Sequence, residues 1–379
     1  IYTLSLHDAL PICQVMSDYK RCRECGLPDN MPRLRLDKSG VCSLCNKEKK
    51  RKKPEVYKGV EALKGEIDRL LSVYPKDRRY DCIVGCSGGR DSTYLLYWVK
   101  NVLELNVLAV TMTHDFMPER TLENVKTVTS TLGIDTKYIE NRDLNVCGRK
   151  SVQAWAKKPS PEMLVTFCTG CRYGLRKAIP GVCQDLDVPL LFMGNTRLEK
   201  LTYRTDLLSK DPDRPSHQSM KRNYPKILMK HLAFFSSPRS LYVQYKDFAS
   251  VKKGKEEWPV IIKPFFDYVE WEEDVVIPTI RSLGWGYDES LNATWRSDCF
   301  VNLIRQYYYK RFLGFNDLDV YYARQIRNGL ITFEEAENRM KTEGNYSDEL
   351  IARILKDHYD LDFYKIESKI KKYNSKRHI

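Results

Sequence analysis

One stretch of this chain leaves little freedom in how it folds. The apolar run YDCIVG (80–85) breaks into a glycine-rich loop, CSGGRDS (86–92), and then into the amphipathic stretch TYLLYWVKNVLEL (93–105). A buried strand, a tight loop and a helix are the natural reading of that order. Backbone N–H groups in such a loop converge on an anion, and the dipole of the helix start adds to the pull. Gly88 and Gly89 let the backbone approach a phosphate, Ser87 and Ser92 bring hydroxyls, and Arg90 brings a fixed charge. Asp91 would repel a phosphate, so an orienting or magnesium-associated role suits it better. Neither G-x-x-x-x-G-K-S/T nor the dinucleotide G-x-G-x-x-G stands here.

The surrounding pattern extends this unit into an α/β domain. Strands are expected at 80–86, 106–114, 135–140 and 188–195, with helices at 60–73, 91–104, 119–132, 143–157 and 170–186. Alternation of this kind predicts a doubly wound parallel sheet with helices on both faces. Ligands in such sheets bind beyond the carboxyl ends of the strands. Segments 86–92, 113–116 and 194–199 all follow strands, and Asp115, Gly194 and Asn195 lie in the latter two. Residues 204–236 are polar and proline-containing, as suits a lid. After a strand expected at 259–268, the chain reads as helical to its end, with capping signals at Thr332/Glu335 and Ser347.

Of the twelve cysteines, Cys13 falls in the segment expected outside the fold, and the other eleven divide into groups. Cys22, Cys25, Cys42 and Cys45 follow C-x2-C-x16-C-x2-C, the spacing of a zinc ribbon whose closed thiolate shell is structural. Cys168 and Cys171 form an internal pair, and Cys299 follows far downstream. Together they could bind three irons of an iron–sulfur cluster and leave the fourth open. The alternative is a thiol pair near the site with an unrelated Cys299. Cys82, Cys86, Cys147 and Cys183 sit in apolar contexts and read as core. The division expected is 1–15 outside the fold, 16–50 ribbon, 51–79 linker and helix, 80–203 nucleotide-binding core, 204–236 lid and 237–379 helical region. Residues 1–12 back-translate to a common sequencing adapter, which makes Met16 the expected native start. A formal charge of +13 favours polyanionic partners, although much of it lies in two runs, 47–53 and 369–378. No apolar run is long enough to span a bilayer, and a cytoplasmic location is expected.

The loop Ser87–Ser92, SGGRDS, resembles the SGGxDS motif of the PP-loop (HUP-like) ATP pyrophosphatases, and GNTRLE (194–199) resembles their later nucleotide-closing segment. That likeness implies ATP with Mg2+, cleavage at the α-phosphate, and nucleotide contacts from Ser87, Gly88, Gly89, Arg90, Asp91, Ser92, Asp115, Gly194 and Asn195. Arg90, Asp91 and Ser92 would act in catalysis. The ribbon sequence from 19 to 45, the strand–loop segment and ARQIRNGLITFEEA (323–336) are similar to N-acetyl sugar amidotransferases of lipopolysaccharide and other surface-polysaccharide biosynthesis. The implied reaction adenylates an acetamido oxygen of a nucleotide-linked sugar. Ammonia from a separate glutaminase subunit then gives an acetamidino group. The alternative is a sulfurtransferase similar to tRNA thiolases, with a 4Fe–4S cluster on Cys168, Cys171 and Cys299. A third reading, a nucleic-acid-binding zinc protein, rests on charge and on base stacking by QYYYKRF (306–312). His114, Glu270, Glu272, Glu273, Trp295 and Arg296 can each face substrate or simply pack.

Overall fold

The computed structural model describes residues 19–50, 57–199, 201–208, 223, 225–226, 228–229, 237–253, 261–291 and 294–375. The adapter-like segment and most of the expected lid lie outside the described residues. Helix α1 (Ser43–Lys49) belongs to the cysteine-rich N-terminal unit, and α2 (Val60–Leu71) leads into the sheet. There follow β1 (Cys82–Gly85), α3 (Arg90–Tyr97), β2 (Val107–Thr113), α4 (Glu119–Leu132), β3 (Asp135–Glu140), α5 (Arg142–Lys157), α6 (Thr169–Asp185) and β4 (Leu190–Met193). Helix α7 (Pro238–Lys253) and β5 (Ile261–Lys263) complete the sheet region. The remainder is helical: α8 (Glu273–Ser282), α9 (Phe300–Leu313), α10 (Asp317–Arg327), α11 (Phe333–Thr342), α12 (Asp348–Tyr359) and α13 (Phe363–Ser375).

Among the described residues five strands form one parallel sheet, in the order β3-β2-β1-β4-β5. The order reverses direction at β1, so the loops leaving β1 and β4 flank the crevice where such sheets bind ligands. Period-two alternation splits β1 between two cores. Ile83 faces one side with Leu108, Val110 and Leu191. Cys82 and Val84 face the other with Ala109, Phe192 and Tyr94. Burial on both faces explains why the central strands read as unbroken apolar runs.

Two details differ from expectation. The helix after the glycine loop widens at Trp98–Val102 into a π turn, where the Leu103 N–H donates to the Trp98 carbonyl at 2.9 Å. The last strand is three residues long, because Pro264 has no N–H to donate and a 3-10 turn follows at Phe265–Asp267.

A third core joins the N-terminal unit to the helical region. Cys22, Leu27 and Leu34 pack in it with Val301, Tyr308 and Phe363. The N-terminal unit also caps α9: Asn30 Nδ2 donates to the Leu313 carbonyl at 2.8 Å, and Arg21 Nη2 to the Gly314 carbonyl at 3.3 Å. These carbonyls have no partner within the helix. Tyr307, Tyr308 and Tyr309 of α9 are buried, and Tyr307 donates to Asp348 at 2.6 Å. They build the core and offer no stacking surface for bases.

Beneath this region Asp317 is fully buried and accepts from Arg204 and from the Tyr203 hydroxyl at 2.5 Å, with Arg305 at 3.6 Å. Burial alone would raise its pKa, but Arg204 and Arg305 outweigh it and hold the carboxyl well below its usual range. Stability from this group is therefore present above about pH 4 and lost as pH falls further. Asp317→Asn leaves two buried guanidiniums without their counter-charge. The expected loss is about 3–5 kcal/mol in denaturant titration at neutral pH, shrinking in acid.

Candidate active site

The glycine loop turns between β1 and α3 through Gly88, whose φ of +79° is left-handed. A Cβ there would lie 2.4 Å from the Thr121 carbonyl oxygen, so only glycine fits. The loop is braced from both sides. Trp285 Nε1 and Asn124 Nδ2 donate to the Gly88 carbonyl at 3.0 and 3.3 Å. Within the loop, the Ser87 N–H donates to Ser92 Oγ at 3.2 Å, and Ser92 Oγ donates to the Gly89 carbonyl at 3.1 Å. The serines thus hold the turn in shape, and the first N–H groups of α3 have no acceptors within the helix. Gly194, after β4, approaches so closely that a Cβ would meet the Ser92 backbone nitrogen at 2.9 Å. Both crossover loops therefore line one cavity of about 320 Å³.

Ser87, Gly89, Asp91, Ser92, Gly194 and Asn195 line that cavity together. Gly88 lies behind the loop, on the side of Trp285 and Asn124. Asp115 lines neither space: its N–H donates to Asn145 at 2.9 Å and its carboxylate receives Arg149 at 3.0 Å. Its neighbour His114 faces the cavity instead. Burial lowers the His114 pKa to about 4, and Nδ1 accepts from the Phe116 N–H at 3.2 Å. At neutral pH the ring is therefore uncharged, with its proton on Nε2.

Arg90 does not extend a free cation toward a phosphate. Only 3% exposed, it donates to Asp91 (3.2 Å), Glu273 (3.3 Å), Thr294 (3.2 Å) and the Tyr321 hydroxyl (2.5 Å). Its guanidinium also lies 4.6 Å over the Trp271 ring. Glu272 stands at the N-cap position of α8 without a side-chain cap bond, and Glu273 opens the helix and anchors Arg90 and Arg339. Asp91 accepts from Trp271 Nε1 at 2.9 Å. Burial pushes its pKa up to about 6, opposed by the Arg90 charge.

Sequence reasoning missed Asp298 and Glu199 as individual site groups. Asp298 bonds Ser87, lies 3.4 Å from where a Gly89 Cβ would stand, and is raised in pKa by burial. Glu199 accepts from Trp295 Nε1 at 2.9 Å. Glu199 ends GNTRLE and Asp298 directly precedes Cys299, but only folding brings them into the cavity with Asp91. These three carboxylates are not gathered around one point, since among the described residues only the N-terminal sulfurs are. That suits Mg2+, which commonly takes one or two carboxylates and completes its shell with phosphate oxygens and water.

Cys22, Cys25, Cys42 and Cys45 are buried, with sulfurs all within 4.8 Å of one another. The Cys22–Cys45 and Cys25–Cys42 separations are 3.9 and 3.7 Å. A tetrahedron with Zn–S bonds of about 2.3 Å has edges of about 3.8 Å, so the set fits zinc. The Cys42 and Cys45 N–H groups donate to Cys22 and Cys42 sulfurs at 3.2 and 3.4 Å, as thiolates require.

Cys168, Cys171 and Cys299 all line the cavity beside the loop. Arg305 Nη1 donates to Cys168 Sγ at 2.6 Å. Burial pushes Cys171 up to about 12 and Cys299 well above its ordinary value. Their sulfurs do not converge on a single ion, whereas cluster thiolates on separate irons stand further apart. The trio therefore remains compatible with a cluster. Cys82, Cys86, Cys147 and Cys183 are buried.

The NAD synthase family model matches residues 66–158, the span from α2 through α5. An uncharacterised protein of Methanocaldococcus jannaschii is 30% identical over 119 residues, covering 27% of this chain. The chain spans 43% of the length of that curated relative. Among solved structures, a tRNA thiolase from Methanococcus maripaludis with its 4Fe–4S cluster is 16% identical, covering 90% of this chain and 99% of its own, with a TM-score of 0.32. The ammonia-dependent NAD synthetase of Campylobacter jejuni is 14% identical, covering 54% and 97%, with a TM-score of 0.30.

The two glycines should respond differently to alanine. Gly88→Ala should lose about 2 kcal/mol or more, from left-handed strain and the Thr121 clash. Gly89 has an extended backbone (φ −77°), and its Cβ would meet Ser87 Oγ at 3.2 Å. Gly89→Ala should keep its melting temperature within a few degrees while ATP binding, measured by calorimetry, weakens. If ionised Asp91 orients the bound magnesium nucleotide, binding should decline as pH falls through about 6, and Asp91→Asn should remove that dependence. The effect on folding has the opposite sign. A carboxyl raised in the fold favours the folded state below its unfolded pKa, and that contribution disappears as pH rises through about 6.

Proposed function

We propose that this chain is a PP-loop ATP pyrophosphatase, supported by the NAD synthase model over residues 66–158 and by the SGGRDS loop, and that it is an adenylating amidotransferase acting on an N-acetylated, nucleotide-linked sugar. The acetamido oxygen attacks the α-phosphorus of ATP, and the bond to the β-phosphate breaks to release pyrophosphate. Ammonia then adds to the activated carbon, the C–O bond breaks, AMP leaves, and loss of a proton gives the acetamidino group. The loop N–H groups and the start of α3 hold the departing pyrophosphate. One or two of the cavity carboxylates Asp91, Glu199 and Asp298 would hold Mg2+, which would supply charge neutralisation to the triphosphate when bound. The N-terminal cysteines hold a structural zinc.

The observation that carries this reading is the bond between Arg90 and Tyr321. Tyr321 lies on α10, which runs into ARQIRNGLITFEEA, one of the segments similar to the sugar enzymes. The helix that begins this segment is thereby tied to the loop through Tyr321, which places the segment's start near the cavity. The ammonia comes from a separate glutaminase subunit.

One observation favours sulfur transfer to tRNA as a second reading: Cys168, Cys171 and Cys299 share the cavity with the loop. A cluster on these thiols would leave an iron open to bind sulfide. Both readings share the adenylation step and differ in what attacks the adenylate.

Protein purified without oxygen and started at Met16 separates them. Amidotransfer predicts one zinc per chain and AMP release that requires both an N-acetylated nucleotide sugar and ammonia. A brown chromophore lost in Cys168→Ala, with AMP release on tRNA and sulfide alone, would replace it by sulfur transfer.

A further inference from the structure

Among the described residues lining the cavity, two carry a permanent positive charge, Arg90 and Arg296. Arg90 is turned into the protein, where Asp91, Glu273, Thr294 and Tyr321 occupy its donors. A site that holds a polyphosphate beside three carboxylates needs another cation. Resting on the ATP reading above, we infer that Arg296 supplies it and grips the pyrophosphate portion of the nucleotide.

Three independent features single out Arg296. Its backbone φ is +57°, a left-handed conformation that a side chain as bulky as arginine rarely adopts. Such strain persists where surrounding structure enforces it, and it concentrates at ligand clamps. Its Nε is buried without a hydrogen-bond acceptor. The side chain is also preset, because its guanidinium lies 4.9 Å over the Trp295 ring. Trp295 is itself fixed by stacking on Tyr321 at 4.4 Å and by donating to Glu199.

Position agrees with this role. Residues 294–298 cross the mouth of the loop: Thr294 accepts from Arg90, and Asp298 bonds Ser87. Arg296 thus stands at the phosphate end of the cavity. Its Nη2 lies 3.6 Å from Glu199, an ion pair longer than a hydrogen bond, and Asp298 and Asp317 also act on it electrostatically. These acids orient the guanidinium without saturating its five donors. A planar fork of that kind matches two phosphate oxygens at once.

The test uses calorimetry on the full chain with magnesium pyrophosphate, MgATP and AMP. Arg296→Gln should weaken pyrophosphate and MgATP by about tenfold or more and leave AMP within about twofold. Arg296→Lys should recover part of the loss. Arg296→Gly relieves the left-handed strain, so it should fold at least as well as the parent and still lose pyrophosphate. Unchanged pyrophosphate affinity in the glutamine and glycine variants would overturn the inference, as would equal weakening of AMP and pyrophosphate. If the parent protein binds none of the three ligands, the ATP reading itself fails and the inference with it.

Discussion

The buried guanidinium of Arg90 joins the two halves of this protein. It begins the helix that follows the glycine loop, yet its partners Glu273, Thr294 and Tyr321 all come from the far side of the sequence. A buried cation is tolerated only when its donors are met, so the helical region must close on the loop for the loop to fold at all. The cavity is a product of that closure. Its floor is the crossover of a parallel sheet, and its roof is the strap from Thr294 to Cys299.

The same logic recurs one layer below. Asp317 collects Arg204 and Tyr203 from the segment after β4, and Arg305 reaches from Asp317 to Cys168. Charge balance in the core thus depends on residues that also shape the cavity wall.

Local chemistry was readable where it is set by neighbours in the chain. Helix α4 and strand β3 fall at the expected 119–132 and 135–140, because apolar period and flanking turn residues agree there. The Thr332/Glu335 box closes both of its bonds, and Ser347 caps α12. The four-cysteine spacing does bring its sulfurs together. What could not be read was direction. Arg90 looked like a phosphate ligand because it stands in a phosphate loop, but a carboxylate 183 residues away claims it. Asp115 and His114 are adjacent, and which of them faces the cavity depends on the turn after β2 and on Arg149. Glu199 ends the GNTRLE segment and Asp298 sits beside Cys299, but that both share one cavity with Asp91 appears only in three dimensions.

Helix α9 has a further consequence. Its 14 residues form a rod of about 21 Å, with Cys299 at the N-cap and the Leu313 and Gly314 carbonyls at the other end. The cavity thiol and the four-sulfur knot therefore sit at opposite ends of one stiff strut. If the four sulfurs hold zinc as proposed, a chelator acting on the distant knot would loosen the footing of that strut. Damage at the periphery would then be felt as misalignment of the distant cavity wall.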